Sequence, residues 1–594
     1  MTDARANAFT AGGLTPSPID WRDMWIYFLM VDRFNRTDAP PRHVPWNDPS
    51  FDGYQGGTFE GVRAALPYIK ELGAGAIWLS PVLKNLPSDR FSYHGYGIHD
   101  FLHAEPRLAR DPARADDELR ELVDAAHDTG LYVIFDIVLN HVGDVFAYVC
   151  GEGDATCSSS GGAFASYSGA PLEVRWRDGS GAPDATAADI GAIGDASRDA
   201  LVWPAELQRN SFYRRQGMPT AEGSDTIGDF WSLKQLRTED QDLQRALITA
   251  YAYVLARWDV DGFRIDTLRY LQGGLPRRFG NAMREFAQSA GKKNFFTFGE
   301  VFAPQAEEDI ARFIGRHTSD GGDTVGVDAA LDYPLFFTLP AILKGFDAPA
   351  RLNEMFMRRR AIQQGVISSH GDASQYFVTF LDNHDVKQRI RPVADDGTHP
   401  HDDQVTLALA CLLTLPGIPC VYYGTESGLD GRGTDAAVRE AFWGGPGPQA
   451  TGPFHGQLAA LSALRAQLPA LRYGRFYLRP LSGDSAHFAI SQTAPGVLAY
   501  SRILADQEVL VVANTTQSSL ALDVIVDSTV NAPGAAFAVR WSSRSEPTSP
   551  APLRSLDRVE VAEADGRGGA GPVLVCPVVL QPREVQILSP LRSR

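Results

Sequence analysis

Five cysteines in 594 residues are too few, and too unevenly placed, to form a disulfide framework. Cys411, Cys420 and Cys576 make up the rest of an odd, sparse set, and no zinc-type cluster is present. Cys150 and Cys157 share a Gly/Ser-rich stretch and are the one pair placed to bridge. No apolar run reaches the roughly 18 residues a membrane-spanning helix requires. The opening MTDARANAFTAGGLTPSPID has no basic segment followed by an apolar one and does not read as a secretory signal, so the expectation is a reduced, cytoplasmic chain, or a secreted one if an export signal has been lost from this sequence. Positive charge is also scarce. Lys and Arg number 55 against 72 Asp and Glu, a net charge of −17, which removes electrostatic support for a nucleic-acid or anionic-membrane partner. A neutral polar ligand pays no such penalty.

What is present is a 44% hydrophobic, 21% charged composition typical of ordered globular proteins, in a chain too long for one core. Apolar runs of strand length alternate with amphipathic helical segments. The expected strands are 24–34, 76–82, 131–141, 261–266, 294–302, 324–334, 376–385 and 418–424. Helical periodicity covers 59–73, 116–130, 242–258 and about 276–290, and the first two of these end at Gly73 and Gly130 just before a strand. Runs that are apolar throughout fit strands buried on both faces. Eight such strands joined by helices predict an α/β fold, a (β/α)8 TIM barrel.

The pattern fails between 143 and 234, where Gly, Ser, Ala and Asp dominate; so long a stretch predicts a small inserted domain after the third strand. Beyond about 475 short strands separated by turn residues predict a C-terminal antiparallel β-sandwich. The expected division is an extension over 1–20, a barrel over 21–142 and 235–475, an insertion over 143–234, and a β-domain over 476–594.

Charged residues and histidines gather where the expected barrel strands end. Asp136, Asn140 and His141 close the third, Arg264 and Asp266 the fourth, Glu300 the fifth, and Asn383, His384 and Asp385 the seventh. One Asp at a strand end is usually a cap. Several strands delivering carboxylates to one barrel mouth is the arrangement of an active site. Arg264 and Asp266 are two residues apart, so on a strand they share a face.

These residues carry a resemblance. DIVLNH (136–141), GFRIDTLRY (262–270), FGEVF (298–302) and FLDNHD (380–385) stand in the order, and on the strands, used by glycoside hydrolase family 13, the α-amylase family. YHGYGIHD (93–100) is similar to its loop after the second strand, and the resemblance spans roughly 20–590. It implies a retaining α-glycosidase acting on α-1,4-linked glucans or maltooligosaccharides, with transglycosylation, disaccharide specificity or, least favoured, a non-catalytic family member as alternatives and no cofactor needed for the chemistry. By resemblance Asp266 is the nucleophile, Glu300 the proton donor and Asp385 the third carboxylate, while Tyr96, His141 and His384 bind the sugar. Arg264 would hold Asp266 ionised, whereas Glu300 must carry a proton, which calls for a raised pKa. His94 is divided between substrate contact and loop support; Asp136 and Asp100 are expected to be supporting residues.

Two departures stand out. Many family members hold a structural calcium, and the resemblance makes Asn140 one ligand. Gln235 stands where the family often has an Asp ligand, with Asp229 nearby as a substitute, so calcium is left open. Arg269-Tyr270 replaces the Lys-His that follows the nucleophile in many α-amylases.

Overall fold

The computed structural model describes residues 13–149, 162–193, 198–219, 226–302, 307–315, 318–319, 323–324, 326–363, 366–368, 371–544, 551–556, 560–562 and 572–591. Cys150 and Cys157 lie outside these residues. Eight parallel strands form one sheet: β1 Ile26–Leu29, β2 Ala76–Leu79, β3 Tyr132–Val138, β4 Gly262–Asp266, β5 Phe296–Gly299, β6 Ala329–Ala330, β7 Val378–Thr379 and β8 Ile418–Tyr422. The sheet runs β6-β5-β4-β3-β2-β1-β8-β7, and a parallel bridge from Leu331 to Val378 joins its two ends. The result is a closed (β/α)8 barrel with an apolar interior. Phe28 and Trp78 stack at 3.8 Å, and Phe298 meets Trp78 edge-on at 5.5 Å.

The helices form where the apolar spacing predicts. Ala115–Asp128 carries Asp116, Asp117 and Glu118 in its first turn, where the helix dipole favours them, and buries Leu119, Leu122, Val123 and Ala126. Gln241–Trp258 is capped by Asp240, whose carboxylate accepts from the N–H groups of Asp242 and Leu243 at 2.8 and 3.2 Å.

Some expected elements change in extent. The helix expected over 59–73 is two, Phe59–Ala64 and Leu66–Glu71, divided at Ala65. Pro67 explains the break: it has no N–H to donate into the preceding turn and suits the first turn of a new helix. Of the strand expected over 324–334, Ala329–Ala330 remains within the described residues. Asp-Tyr-Pro begins a helix instead, Tyr333–Leu343, with the Asp332 carboxylate accepting from Leu335 N–H at 3.1 Å. The strand expected over 376–385 shortens to Val378–Thr379, because Tyr376 closes a 3-10 turn and the chain leaves the sheet beyond Phe380.

Between β3 and the helix Gln241–Trp258 the described residues are mostly turns. Phe146–Tyr148 pairs with Val174–Trp176, and His141–Val142 pairs with Lys234–Gln235, so the segment leaves and rejoins the barrel at one point. Phe146, Trp176 and Tyr213 meet edge-to-face as its small core. At the C-terminal end two antiparallel sheets, built largely from Val497–Leu504, Gln507–Asn514 and Val585–Pro590 and from Leu520–Val526 and Val573–Leu580, enclose Leu510, Val512, Val524, Phe537, Cys576 and Leu588. This is a β-sandwich arrangement.

Candidate active site

Strand register assembles the charges. Arg264 on β4 lies opposite Asp136 on β3, and both are fully buried above Trp78. The Arg264 Nη1 donates to Asp136 at 2.9 and 3.1 Å and to Asp266 Oδ1 at 2.9 Å. Its Nη2 lies 2.9 Å from Glu300 Oε2. One guanidinium therefore serves three carboxylates. Two further donors steady Asp136: Trp78 Nε1 at 3.2 Å and Tyr96 OH at 2.9 Å. Burial nonetheless pushes Asp136 up to about 7. Burial also pushes Asp266 well above the ordinary carboxylate range; Arg264 opposes this, while Glu300, Asp136 and Asp385 add to it. Burial thus disfavours charge on both Asp136 and Asp266, and Arg264 is the cation that opposes it at each.

Backbone details aim Glu300. Thr267, just after Asp266, is held at φ 50, a left-handed conformation rare for a β-branched residue, and its N–H donates to Glu300 Oε2 at 3.2 Å. Tyr333 OH donates to Glu300 Oε1 at 3.2 Å. Gly299 must be glycine, because a Cβ there would enter the Leu268 side chain and displace Glu300 beside it.

The other expected residues lie on the same mouth. The Tyr96 ring stacks on His384 with centroids 5.7 Å apart, and its OH lies 2.6 Å from His384 Nε2. His384 Nε2 lies 3.2 Å from Asp385, whose side chain is 34% exposed against 9% for Asp266 and 12% for Glu300. Asp385 is thus the carboxylate nearest solvent. His141 Nε2 lies 3.9 Å from Asp266. Burial lowers the His141 pKa to about 3, and burial with Arg439 and Arg264 lowers that of His384 well below its ordinary value, so both rings are neutral. His94 stacks on Tyr96 and accepts its backbone N–H at 3.1 Å, a contact that supports the loop. Asp100 caps Leu102 N–H in its own strand and does not meet these groups.

Several members carry no motif and escaped the sequence reading. Arg439, in the loops after β8, donates to Asp385 at 3.0 Å, to the His384 carbonyl at 2.8 Å and to Tyr93 OH at 3.1 Å. Tyr333 and Trp78 are the others. Aromatic rings stand on two sides of these groups: Phe230, against His141 and Tyr270, on one, and Tyr333 with the exposed Phe302 and Phe337 on the other.

The expected metal ligand has a different partner. Asn140 Oδ1 accepts from the Gln235 side-chain amide at 3.2 Å. Gln235 Oε1 accepts from Gly228 N–H at 2.6 Å, which fixes the amide orientation and turns its NH2 toward Asn140. A donor group thus stands where a cation would need an oxygen, and these residues do not fit a calcium ion.

The barrel mouth holds one guanidinium among three carboxylates, and the sequence comparisons place the chain that carries it. Residues 28–443 match the family model for the alpha amylase catalytic domain, and the chain belongs to that family. It is 28% identical over 463 residues to a beta/alpha-amylase of Paenibacillus polymyxa, covering 77% of this chain and 31% of that protein. It is 27% identical over 492 residues to an alpha-amylase of Streptomyces lividans, covering 75% and 50%. The chain thus matches a third to a half of these relatives' length. Among solved structures, it resembles the alpha-amylase of Geobacillus thermoleovorans complexed with acarbose (TM-score 0.63, 24% identity, 97% and 100% covered). A cyclomaltodextrin glucanotransferase with a three-domain distribution has a TM-score of 0.66 at 20% identity, with 96% and 99% covered. These structures share the fold.

Proposed function

We propose that this chain is a retaining α-glycoside hydrolase of α-1,4-linked glucans or maltooligosaccharides. The observation that carries the reading is the set of polar atoms with no protein partner beside the carboxylates: a ring nitrogen of His141, His384 Nδ1 and Thr267 Oγ1, all buried. Buried polar atoms are rarely left unpaired, so they mark where a ligand rich in hydroxyls binds. Tyr96 supplies an aromatic face to the same space.

Glu300 donates its proton to the glycosidic oxygen as Asp266 attacks the anomeric carbon, giving a covalent glycosyl-enzyme ester and a free leaving sugar. Glu300 then takes a proton from water, which attacks the same carbon and returns Asp266 to the carboxylate. That Asp266 and Glu300 contact adjoining nitrogens of one guanidinium fits the close spacing of about 5–5.5 Å that retention uses. Asp385, the exposed member, takes sugar hydroxyls, and Arg439 holds it.

A second reading, glycosyl transfer to a sugar, is favoured by the exposed Phe302 and Phe337, 50% and 39% accessible, beside Tyr333 and Glu300. Such rings bind an acceptor sugar. Incubation with maltotriose separates the two: shorter products alone mean hydrolysis, and products longer than the substrate mean transfer. No cleavage of any α-glucan or maltooligosaccharide would remove both readings.

A further inference from the structure

Where the inserted segment rejoins the barrel, a cation is already present, and it is part of the chain. Lys234 is fully buried on the short strand Lys234–Gln235 that pairs with His141–Val142. Its ammonium donates to the Ala163 carbonyl at 2.6 Å and lies 3.2 Å from Asp144 Oδ1 and 3.6 Å from Asp229 Oδ2. The rings of Phe146 and Tyr148 close the remaining sides, with centroids 5.0 and 4.9 Å away. Each carboxylate has a further partner: Asp144 Oδ2 lies 2.8 Å from Arg177, and Asp229 accepts from Tyr148 OH at 2.6 Å and Gln235 N–H at 2.9 Å. Asp229, which the sequence offered as a substitute metal ligand, is therefore engaged.

We propose that Lys234 and Gln235 together replace a structural calcium at this junction. Lys234 supplies the positive charge that draws Asp144, Asp229 and a carbonyl of the insertion onto the barrel. Gln235 donates a hydrogen bond to the Asn140 oxygen that a metal would otherwise coordinate, and binds the Thr226 carbonyl with its other N–H at 3.0 Å. Together they link residues 144, 163, 226 and 229 of the insertion to the end of β3. A buried ammonium with two carboxylates and a carbonyl is self-sufficient, whereas a divalent ion there would meet a like charge and an amide N–H. Among the described residues, no group of three or more His, Cys, Asp or Glu is disposed to hold a metal ion. The link also reaches the site, since His141 follows Asn140 and pairs with Gln235.

The test is thermal unfolding and metal analysis of the whole purified chain. After dialysis against EDTA, wild type should carry no stoichiometric calcium, and its melting temperature should be the same in EDTA as in millimolar calcium. Lys234→Met should unfold several degrees lower, because two buried carboxylates lose their shared cation. Lys234→Ala combined with Gln235→Asp restores an all-oxygen shell and should melt higher in calcium than in EDTA. If wild type retains one calcium per chain and melts lower in EDTA, the proposal fails. It fails equally if Lys234→Met melts with wild type. The wild-type measurements decide the matter even where the variants do not fold.

Discussion

Replacing Arg264 with Gln removes the single cation that faces Asp136, Asp266 and Glu300. With charge centres about 4 Å apart and an effective dielectric of about 20, its attraction for Asp266 is about 4 kcal/mol. At 1.36 kcal/mol per unit that is about 3 pKa units. The guanidinium is shared, and its loss also draws protons onto the neighbouring acids, so the expected shift at Asp266 is about 1–3 units. The sign follows from the chemistry. The attack proposed for Asp266 requires its carboxylate, burial already raises its pKa, and losing Arg264 raises it further. The acidic limb of the kcat/KM profile should therefore move to higher pH, and activity at neutral pH should fall at least tenfold. Arg264→Lys keeps the charge but cannot reach three carboxylates from one nitrogen, so its limb should move less while kcat still falls. Initial rates on a maltooligosaccharide from pH 4 to 9 measure both. An acidic limb that stays in place, or moves to lower pH, in Arg264→Gln refutes the role given to this cation.

Asp266→Asn and Glu300→Gln should each lower kcat by at least about 10³-fold with circular dichroism and melting temperature close to wild type; residual turnover above that level removes the assigned chemistry. Gly299→Ala, although a single methyl, should lower kcat because Leu268 and Glu300 must separate to admit it, and an unchanged kcat would show that the contact yields freely. Tyr96→Phe keeps the ring but loses its hydroxyl contacts with Asp136 and His384, whereas Tyr96→Ala loses the face as well; KM should rise about tenfold more in the second, and equal values argue against a stacking role. Phe302→Ala should reduce any products longer than maltotriose more than it reduces hydrolysis, and a proportional loss of both would remove the acceptor assignment.

The sequence exposes the site to the extent that each member sits at the end of a long apolar run. Asp136, Arg264, Asp266 and Glu300 are readable because strand periodicity and the placing of acids at strand ends are local properties. Arg439 and Tyr333 are not readable in this way. One comes from a loop and one from a helix start, and only closure of the barrel brings them to Asp385 and Glu300. Helix and strand limits went astray where a short signal overrode a longer pattern: Pro67 divided one helix, and Asp332 with Pro334 turned an expected strand into a helix start. At the junction Gln235 was visible as a departure. Lys234 gave no sign, because a lysine in a polar stretch reads as a surface residue until the aromatic and acidic groups around it are in place.

The barrel is not equally strong around its circumference. β6 and β7 are two residues each, and they meet through the bridge from Leu331 to Val378 and the bond from Asp332 N–H to the Val378 carbonyl at 2.9 Å. A buried ion pair between Arg359 and Asp332 fastens the same place. This is the seam of the cylinder, where warming should part the wall first. Tyr333 stands on that seam, immediately after Asp332, and holds Glu300. Glu300, the proposed proton donor, should therefore lose its alignment before the cylinder as a whole comes apart, so that heat silences the proposed catalyst while most of the wall is still standing.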